Sequence, residues 1–274
     1  MISVVTIVHD RPEQLTNLIG GLLCCRPLPD ELVVVDMRST PPVSALVQRL
    51  ASAHLPCTTV RIDDGGGRLP LARARNVGAA AARGDRLVFL DVDCIPAPDL
   101  VGSYLAAPPG ALVCAPVRYL RPGWDAPAVD LDPVHLRAAS DPHPLRPAPP
   151  TDACDGRYEL FWSLSFATDR GTFAALHGFD ERYVGYGAED TDFAFTARRC
   201  GVPLVWLADG CAFHQWHPSQ QPPVQHLEAI VANARTFRTR WGRWPMEGWL
   251  AAFAAQGLIE WHPDSGIVTI VATD

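Results

Sequence analysis

Three strand-like stretches among the first hundred residues each end in aspartate, and this repetition constrains the fold more than any other feature. The stretch "ELVVVDM" carries Asp36 near its end, "CTTVRID" ends in Asp63, and "RLVFLDVD" ends in Asp91 and Asp93. A helix-like sequence separates each stretch from the next. Strands that alternate with helices in this way are typical of a parallel sheet with helices on both faces. Such sheets bind ligands at the carboxyl ends of their strands, so these aspartates are expected to line one rim.

The positions of the elements can be predicted for the first 115 residues. Strands are expected over 3–8, 31–37, 57–63 and 86–93, and helices over 11–23, 42–53 and 69–84. The glycine triplet at 65–67 fits neither the dinucleotide-binding fingerprint nor a P-loop. It predicts a flexible connection, and a dinucleotide-binding dehydrogenase is disfavoured.

The remainder of the chain divides into three segments. Residues 116–157 are rich in proline and lack apolar periodicity, which predicts a long irregular loop that acts as a lid or mobile segment. Residues 158–218 regain regular patterns. Residues 219–274 predict two helices that break near Pro245, and "GIVTIVAT" predicts a last strand. We expect a catalytic domain over 1–218, composed of 1–115, the loop 116–157 and 158–218, with a helical extension over 219–274 packed on this core.

The composition limits which kinds of partner the protein is expected to bind and in which cellular compartment it is expected. A formal net charge of −7 argues against nucleic acid as a partner. The sequence contains no apolar run that approaches the roughly 18 residues of a membrane span, and its first residues do not resemble a signal peptide. Eight scattered cysteines without a Cys-x-x-Cys pair predict neither structural zinc nor a disulfide framework. We expect a cytoplasmic protein, with peripheral attachment to a membrane as the alternative.

The sequence Asp91-Val92-Asp93 places two carboxylates at the end of a buried strand. Charge repulsion and desolvation make this arrangement costly unless a positive group lies nearby. Neighbouring carboxylates can share one hard divalent ion or its water molecules, and such an ion could also neutralise a diphosphate leaving group. Because a single Asp-x-Asp also occurs by chance or as a structural cap, the series of strand-end aspartates is what favours a functional interpretation.

A second acidic cluster lies in "GFDERYVGYGAEDTDFAFTARRCG" at 178–201. Its second part predicts a helix, with acidic residues in the first turn and arginines in the last. Helix capping explains Asp192 well. It does not explain why Glu189 and Asp190 directly follow a glycine-rich turn that brings the backbone close to another group. A carboxylate in that position could take a proton from an attacking hydroxyl.

Six motifs occur in an order that matches a known family: "TIVHDRPEQL", "VVVDMRST", "LARARNVG", "FLDVD", the 178–201 motif and "CAFHQWHP". Together they resemble the GT-A glycosyltransferases of the family 2 type, and the 178–201 motif resembles the galactosyltransferase C-terminal region. The resemblance covers roughly 1–115 and 158–218. It implies a GT-A fold, which is a Rossmann-like, mainly parallel sheet with helices on both faces. It also implies a UDP-sugar donor and Mn²⁺, with Mg²⁺ as the alternative.

The resemblance implies a role for individual residues. It assigns the metal and the nucleotide diphosphate to the Asp91-Val92-Asp93 motif, the role of general base to Asp190, and contacts with donor or acceptor hydroxyls to Glu189. The residues that it places around the nucleotide are Thr6, His9, Arg11, Asp36, Asp63 or Asp64, Arg75 and Asn76.

A histidine downstream of the 178–201 motif is implied as a further metal ligand. His214 is the first choice and His217 the alternative. Cys211 is a third candidate because it precedes His214 by three residues, the spacing at which related galactosyltransferases place a methionine ligand. A single thiol in an apolar stretch is more often part of a core.

Aromatic residues are the candidates for the acceptor side. Trp162, Tyr186 and Trp216 could stack on a sugar face, with Gly187 beside Tyr186 in the glycine-rich turn. Aromatic side chains are equally common in protein cores, so packing is the competing interpretation for each of them.

We therefore expect a metal-dependent glycosyltransferase that moves a sugar from a UDP-sugar to a hydroxyl acceptor and inverts the anomeric centre. A nucleotidyltransferase of similar fold and a non-catalytic sugar- or nucleotide-binding module are the alternatives. The sequence does not specify the donor sugar, the oligomeric state, or whether the acceptor is a glycan, a lipid-linked molecule or a small molecule.

Overall fold

The computed structural model describes residues 1–51, 55–63, 66–124, 131–146, 148–154 and 156–271. The strands in this part of the chain are β1 (Ile2–Val8), β2 (Glu31–Asp36), β3 (Cys57–Arg61), β4 (Arg86–Leu90), β5 (Cys94–Pro96), β6 (Leu112–Cys114), β7 (Val117–Leu120), β8 (Ser140–Pro142), β9 (Ala153–Cys154), β10 (Ser165–Asp169), β11 (Leu204–Trp206), β12 (Ala212–His214), β13 (Ile259–His262) and β14 (Ile267–Ile270). The helices are α1 (Pro12–Cys24), α2 (Ser44–Leu50), α3 (Leu71–Ala81), α4 (Leu100–Ala106), α5 (Pro133–Ala138), α6 (Arg170–Ala175), α7 (Glu189–Arg199), α8 (Leu227–Trp241) and α9 (Glu247–Ala255).

The largest sheet has eight strands in the order β3-β2-β1-β4-β10-β6-β11-β9. The first four are parallel, β10 runs antiparallel to β4 and β6, and β11 returns to a parallel pairing with β6. This mixed α/β fold with a mainly parallel sheet is the predicted one. The strands and helices predicted for the first 115 residues are present among the described residues, with ends that differ by up to three residues. The strand predicted over 86–93 ends at Leu90, and α4, β5 and β6 were not predicted.

Alternate residues of the central strands face two different cores. Val4 and Val8 of β1 pack against α1, α2 and α4 on one face, whereas Val5 and Ile7 pack against α3 and α7 on the other. This alternation follows from the two-residue period of a strand, and it explains why the central strands are apolar throughout.

A smaller sheet, β5-β12-β7-β8, lies beside the first and corrects the prediction for 116–157. That segment is not a continuous irregular loop, because it supplies β7, α5, β8 and β9. These strands are only two to four residues long, and β7 contains an arginine and β8 a proline. Elements this short leave too little periodicity to be recognised in a sequence.

The C-terminal extension combines helices with strands. The break between α8 and α9 near Pro245 and the last strand, β14, were both predicted, but β14 pairs with β13 in a hairpin, so the extension is not purely helical. Its own core includes Ile230, Leu250 and Phe253. Phe237 of α8 instead packs into the core that α3 and α7 share, which joins the extension to the rest of the molecule. Among the residues described, no helix has both the length and the apolar character of a membrane span.

Candidate active site

Asp91 and Asp93 lie on a tight turn that follows β4 at the carboxyl rim of the main sheet. The turn closes through a backbone hydrogen bond of 2.9 Å from the Cys94 N–H to the Asp91 carbonyl. Val92 between them is 8% exposed and packs into the core below. The turn therefore presents two carboxylates while an apolar side chain anchors it.

Asp93 forms a compact group with His214 and His217. Its Oδ2 lies 3.6 Å from Nε2 of each histidine and 3.8 Å from Nη1 of Arg11. One ligand atom from each of the three residues lies within 4.8 Å of the other two. Burial alone would raise the pKa of Asp93, but His214, Arg11 and His217 lower it to about 2, so the carboxylate stays charged.

Strand pairing brings these residues together. His214 is the last residue of β12 and pairs with Cys94 of β5, which directly follows Asp93. The next residue, Gln215, donates its backbone N–H to the Asp93 carbonyl at 2.6 Å. Its side chain accepts a hydrogen bond from Asn17 Nδ2 at 2.8 Å and donates to the Gln14 carbonyl at 3.2 Å. The histidine end of β12 is thus fixed to both the aspartate turn and α1.

The structure separates Asp91 from this group. Asp91 Oδ1 accepts a hydrogen bond from Arg75 Nη2 at 3.2 Å, and burial raises the pKa of Asp91 to about 6 against the opposing charge of Arg75. Asp93 and the two histidines thus form the compact group while Asp91 pairs with Arg75, and the sharing of one ion by both aspartates stays a prediction.

Cys211 does not join the cluster either. Its buried side chain packs with Ile95, Ala97 and Phe213 on the core side of the smaller sheet, and burial raises the pKa of its thiol to about 11. Both His214 and His217 lie close to Asp93, so each of them stays a candidate ligand.

Arg75 connects the aspartate turn to the second acidic motif. It is 4% exposed, and its Nη1 donates to Glu189 Oε1 at 3.0 Å while Nη2 contacts Asp91. Although burial disfavours its charged form, Asp91, Glu189 and Asp190 raise the pKa of Arg75 above its ordinary value. The guanidinium thus holds the start of α7 at the same rim as the end of β4.

Asp190 is the second residue of α7 and is only partly buried. Its Oδ1 accepts hydrogen bonds from the Thr191 N–H at 2.6 Å and the Thr191 hydroxyl at 3.3 Å. Burial, reinforced by repulsion from Glu189, raises the pKa of Asp190 to about 7 against the charge of Arg75. A carboxylate with such a pKa can accept a proton near neutral pH.

The glycine-rich turn before α7 sets the position of both acids. Gly185 and Gly187 have φ of +80° and +100°, and Ala188, which caps α7, has φ of +71°. A Cβ on Gly187 would lie 2.7 Å from Met246 Sδ, so only glycine fits there. Asn233 Nδ2 donates to the Gly187 carbonyl at 2.9 Å and fixes the turn to α8.

Of the residues that the resemblance places around the nucleotide, His9, Arg11 and Asp63 lie at strand ends of the rim. His9 Nδ1 lies 2.7 Å from the Met37 carbonyl, which ties the loops after β1 and β2 together. Asp63 is exposed just beyond β3. Asp64 lies outside the described residues. Nucleotide contacts for His9, Arg11 and Asp63 stay predictions.

Thr6, Asp36 and Asn76 occupy structural positions instead. Thr6 lies within β1 and is 1% exposed. Asp36 is equally buried and accepts hydrogen bonds from the backbone of Ser39 and Val43 and from Arg61. The Asn76 amide bonds both backbone groups of Phe179. Asp36 and Asn76 stabilise the loops of the rim, whereas Thr6 Oγ1 is buried without a hydrogen-bond partner among the described residues. Nucleotide contacts for these three residues stay predictions.

The three aromatic candidates differ in their surroundings. Trp162 is half-buried and packs edge-on against His143 at a centroid distance of 4.7 Å. Tyr186 is 41% exposed and stacks on His226 at 4.8 Å and on Trp249 at 5.8 Å. Trp216 is 44% exposed and directly precedes His217. Tyr186 and Trp216 therefore remain available to a ligand, whereas Trp162 is largely committed to packing.

Gln215 and Asn17 are site residues that sequence reasoning did not identify. Both are buried, and their hydrogen bond spans 198 positions of the chain. Their only local signal is the place of Gln215 between the two candidate histidines.

The donor set of the cluster fits a divalent cation. One carboxylate and two imidazoles suit a divalent ion of the first transition series better than Mg²⁺, which prefers oxygen ligands alone. The close approach of Nε2 atoms from two histidines to a charged carboxylate is the arrangement that such an ion would stabilise.

Two family models match the chain. The model described as glycosyl transferase family 2 matches residues 3–123, and the model described as the N-terminal domain of galactosyltransferase matches residues 150–207. The second match contains the predicted galactosyltransferase-like segment 178–201, although its description names the other end of that protein.

Two curated relatives are both named validoxylamine A glucosyltransferase. They come from Streptomyces hygroscopicus subsp. limoneus and from S. hygroscopicus subsp. jinggangensis (strain 5008), and they are 27% and 28% identical over 271 residues. The alignments cover 86% of this chain but only 56% and 60% of the relatives. The chain therefore spans somewhat more than half the length of these proteins.

Solved structures of GT-A glycosyltransferases share the fold. The crystal structure of GalNAc-T7 with UDP, GalNAc and Mn²⁺ has a TM-score of 0.58 at 16% identity, over 88% of this chain and 50% of that one. The structure of S. aureus TarS 1–349 in complex with UDP-GlcNAc has a TM-score of 0.59 at 15% identity, over 86% and 66%. Residues 3–123 are thus similar to glycosyl transferase family 2, residues 150–207 are similar to a galactosyltransferase domain, and the fold is that of the GT-A glycosyltransferases.

Proposed function

We propose that the chain transfers a sugar from a UDP-sugar to a hydroxyl acceptor, with a divalent cation and with inversion of the anomeric centre. The observation that carries this proposal is the position of Arg75, which bonds Asp91 on the aspartate turn and Glu189 beside Asp190. One buried guanidinium thereby holds a candidate base close to the turn that carries the Asp93 cluster.

At the donor end, Asp93, His214 and His217 would hold Mn²⁺. When bound, the ion supplies positive charge that neutralises the diphosphate as the bond to the sugar breaks. Arg11, 3.8 Å from Asp93, adds a second positive group on this side. The UDP part of the proposal is supported by the solved relatives with UDP and UDP-GlcNAc.

At the acceptor end, Asp190 would act as the general base. Thr191 binds one of its carboxylate oxygens and holds the side chain in place. The acceptor oxygen forms a bond to the anomeric carbon, its proton moves to Asp190, and the bond from that carbon to the diphosphate oxygen breaks to release UDP. Glu189 Oε2 is buried and has no hydrogen-bond partner among the described residues, so it is placed to accept from a sugar hydroxyl.

The first test is a calorimetric titration of UDP with and without Mn²⁺, followed by an assay of sugar transfer from a panel of UDP-sugars. Asp93→Asn should lose the Mn²⁺-dependent part of UDP binding, because it removes the charged ligand of the cluster. Asp190→Asn should bind UDP like the unmodified protein but transfer sugar roughly 10²- to 10⁴-fold more slowly, which is the usual contribution of a general base.

The matched control is Asp85→Asn, since Asp85 lies exposed just before β4, at its opposite end. It should change neither binding nor transfer. Retained transfer in Asp190→Asn would refute the base, and a product with the donor's anomeric configuration, read by NMR, would refute inversion. Release of pyrophosphate in place of UDP would identify a nucleotidyltransferase.

A further inference from the structure

A row of four aromatic rings borders the aspartate turn. Each ring contacts the next, and the successive centroid distances are 4.7, 5.6 and 5.0 Å. In order along the row, the rings belong to Trp162, His143, Tyr119 and His214. Two of them, His143 and Tyr119, come from the proline-rich segment 116–157.

Both ends of this row lie beside the aspartate turn. At one end, His214 Nε2 lies 3.6 Å from Asp93 Oδ2. At the other end, Trp162 lies two residues before Leu164, whose carbonyl accepts the Asp91 N–H at 2.9 Å. The middle of the row, which includes His143, therefore borders the candidate active site.

A tight turn over residues 143–146 fixes the position of His143. The Arg146 N–H donates to the His143 carbonyl at 2.9 Å and closes the turn. The buried Arg146 guanidinium contacts two indole rings, with Cζ 4.9 Å from the centroid of Trp162 and 4.6 Å from that of Trp206. Stacking of this kind orients a guanidinium and stabilises its position. His143 is thus presented by an anchored turn.

The imidazole of His143 has one nitrogen in use and one free. Its Nδ1 accepts the Leu145 N–H at 3.2 Å. Burial and the charge of Arg146 lower the pKa of His143, so the imidazole is neutral near pH 7. A neutral imidazole that accepts through Nδ1 carries its proton on Nε2. This Nε2–H has no acceptor within the described part of the chain, and His143 is partly exposed, so a ligand can accept a hydrogen bond from it.

The sheet order indicates which part of a UDP-sugar would lie near His143. The predicted nucleotide contacts His9, Arg11 and Asp63 follow β1 and β3, on one side of β4. Trp162 leads into β10, on the other side of β4. A UDP-sugar with its base on the first side and its diphosphate at the Asp93 cluster would carry its sugar to the second side, where the row of rings lies.

The size of a sugar fits this placement. Tyr119 is the ring next to His214, and His143 is the ring after it. A hexose is about as wide as one aromatic ring, so a hexose attached to a diphosphate at the cluster would reach His143. Its hydroxyl oxygens are hydrogen-bond acceptors that match the free Nε2–H.

We propose that His143 binds the transferred sugar by donating its Nε2–H to a hydroxyl oxygen of the UDP-sugar. This inference rests on the proposed function and extends it to the segment 116–157. Trp162 and Arg146 hold His143 in place and do not themselves contact the sugar. Because the site loses a hydrogen bond to any sugar without that hydroxyl, His143 contributes to the choice of donor.

The test compares the binding of UDP and of a UDP-sugar by calorimetry at a fixed excess of Mn²⁺. UDP-glucose, UDP-galactose and UDP-N-acetylglucosamine are titrated into the unmodified protein, and the one that binds most tightly is used throughout. His143→Phe keeps a ring between Trp162 and Tyr119 but has no N–H. It should raise the Kd of the UDP-sugar about 3- to 10-fold, the usual weight of one neutral hydrogen bond, and leave the Kd of UDP unchanged.

Two further variants make the result specific. His143→Gln offers an amide N–H near the position of Nε2, so it should restore the Kd of the UDP-sugar to within roughly twofold of the unmodified protein. His135→Phe is the matched control, because His135 belongs to the same segment and its side chain is 72% exposed. It should change neither Kd. Thermal unfolding checks that each variant folds, and His143→Ala replaces His143→Phe if the larger ring disturbs the turn.

The outcomes separate this inference from the proposed function. An unchanged Kd of the UDP-sugar in His143→Phe would overturn the inference alone. An equal rise for UDP and the UDP-sugar would also overturn it, because His143 would then act on the UDP part. The same holds if His143→Gln binds the UDP-sugar as weakly as His143→Phe. Failure of UDP and of all three UDP-sugars to bind the unmodified protein would refute the proposed function and this inference with it.

Discussion

Asp91 and Asp93 lie on one turn, yet their surroundings push their protonation in opposite directions. Burial raises the pKa of Asp91 to about 6, whereas His214, Arg11 and His217 hold that of Asp93 at about 2 despite burial. Asp93 is therefore a permanent anion that can hold a cation, while Asp91 serves as the partner of Arg75. The two carboxylates of this turn therefore have different charged partners.

The raised pKa of Asp190 predicts how transfer depends on pH. A general base must be unprotonated, so kcat/KM should be low below pH 6, rise with a midpoint near the pKa of about 7 and level off above pH 8. The measurement is kcat/KM between pH 5.5 and 9 at a fixed excess of Mn²⁺.

A matched variant connects this profile to Asp190. Thr191→Val removes the hydroxyl that donates to the carboxylate but keeps the backbone N–H, so the midpoint should move to higher pH because the charged form loses a donor. A flat profile between pH 6 and 8, or an unchanged midpoint in Thr191→Val, would contradict the role of Asp190.

For individual residues, local sequence motifs indicated which side chains to consider for the site, but they did not indicate which other side chains contact them. Asp93, His214 and the Glu189-Asp190 pair could be named as candidates because their motifs are local. The pairing of Asp91 with Arg75, the inclusion of both histidines and the structural use of Asn76 depend on long-range contacts. The hydrogen bond from Asn76 to the Phe179 carbonyl, for example, spans 103 positions, which no local pattern encodes.

The turn before α7 is the element that sets the position of the acids. Gly185, Gly187 and Ala188 all have positive φ, and α8 and Met246 close over the turn. The backbone therefore reverses in a space too small for most side chains. The two acids follow directly, so a small movement of this turn displaces both of them.

Gly187→Ala should disturb catalysis and stability together. The new Cβ would lie 2.7 Å from Met246 Sδ on a residue with φ of +100°. We expect a loss of about 1–3 kcal/mol in the free energy of unfolding, measured in urea, and a roughly 10- to 100-fold lower kcat. Gly171→Ala is the control, because its added Cβ would meet no atom within 4 Å and its φ is ordinary. Equal kcat in the two variants would contradict the positioning role of the turn.

Long apolar elements were predictable, whereas short ones were not. The strands β1, β2 and β4 and the helices α1 and α3 have enough residues to show their period. The strands β7 and β8 have four and three residues, and their stability comes from pairing with β12 and with each other. Contacts of this kind join residues that are distant in the sequence, so a local sequence pattern does not predict them.

The molecule as a whole depends on its C-terminal extension. Trp241 Nε1 donates to Asp192 Oδ1 at 2.7 Å, and Arg240 Nη1 donates to Asp192 Oδ2 at 2.7 Å. Phe237 adds an aromatic contact with Phe195 at a centroid distance of 5.3 Å. Since α7 carries both Asp192 and the candidate base, the extension supports the helix on which the proposed chemistry depends.

This shared core predicts a single unfolding transition. Phe237→Ala should lower the free energy of unfolding by about 3–5 kcal/mol, because Phe237 is 1% exposed and a large cavity would remain. Tryptophan fluorescence and circular dichroism should move together in urea. Leu105→Ala, at a side chain that is 46% exposed, is the control and should change stability little. Two separate transitions in Phe237→Ala would show that the extension unfolds independently.

The attachment of Gln215 gives the two histidines unequal freedom. His214 belongs to a paired strand, and Gln215 is tied to the Asp93 carbonyl and to two residues of α1. His217 follows exposed Trp216, beyond the last of these attachments. Asp93 and His214 form the side of the cluster that paired strands fix, whereas His217 is held by its contacts with Asp93 and with the Pro218 carbonyl. Loss of the His217 contacts would therefore leave the strand that supports Asp93 and His214 in place.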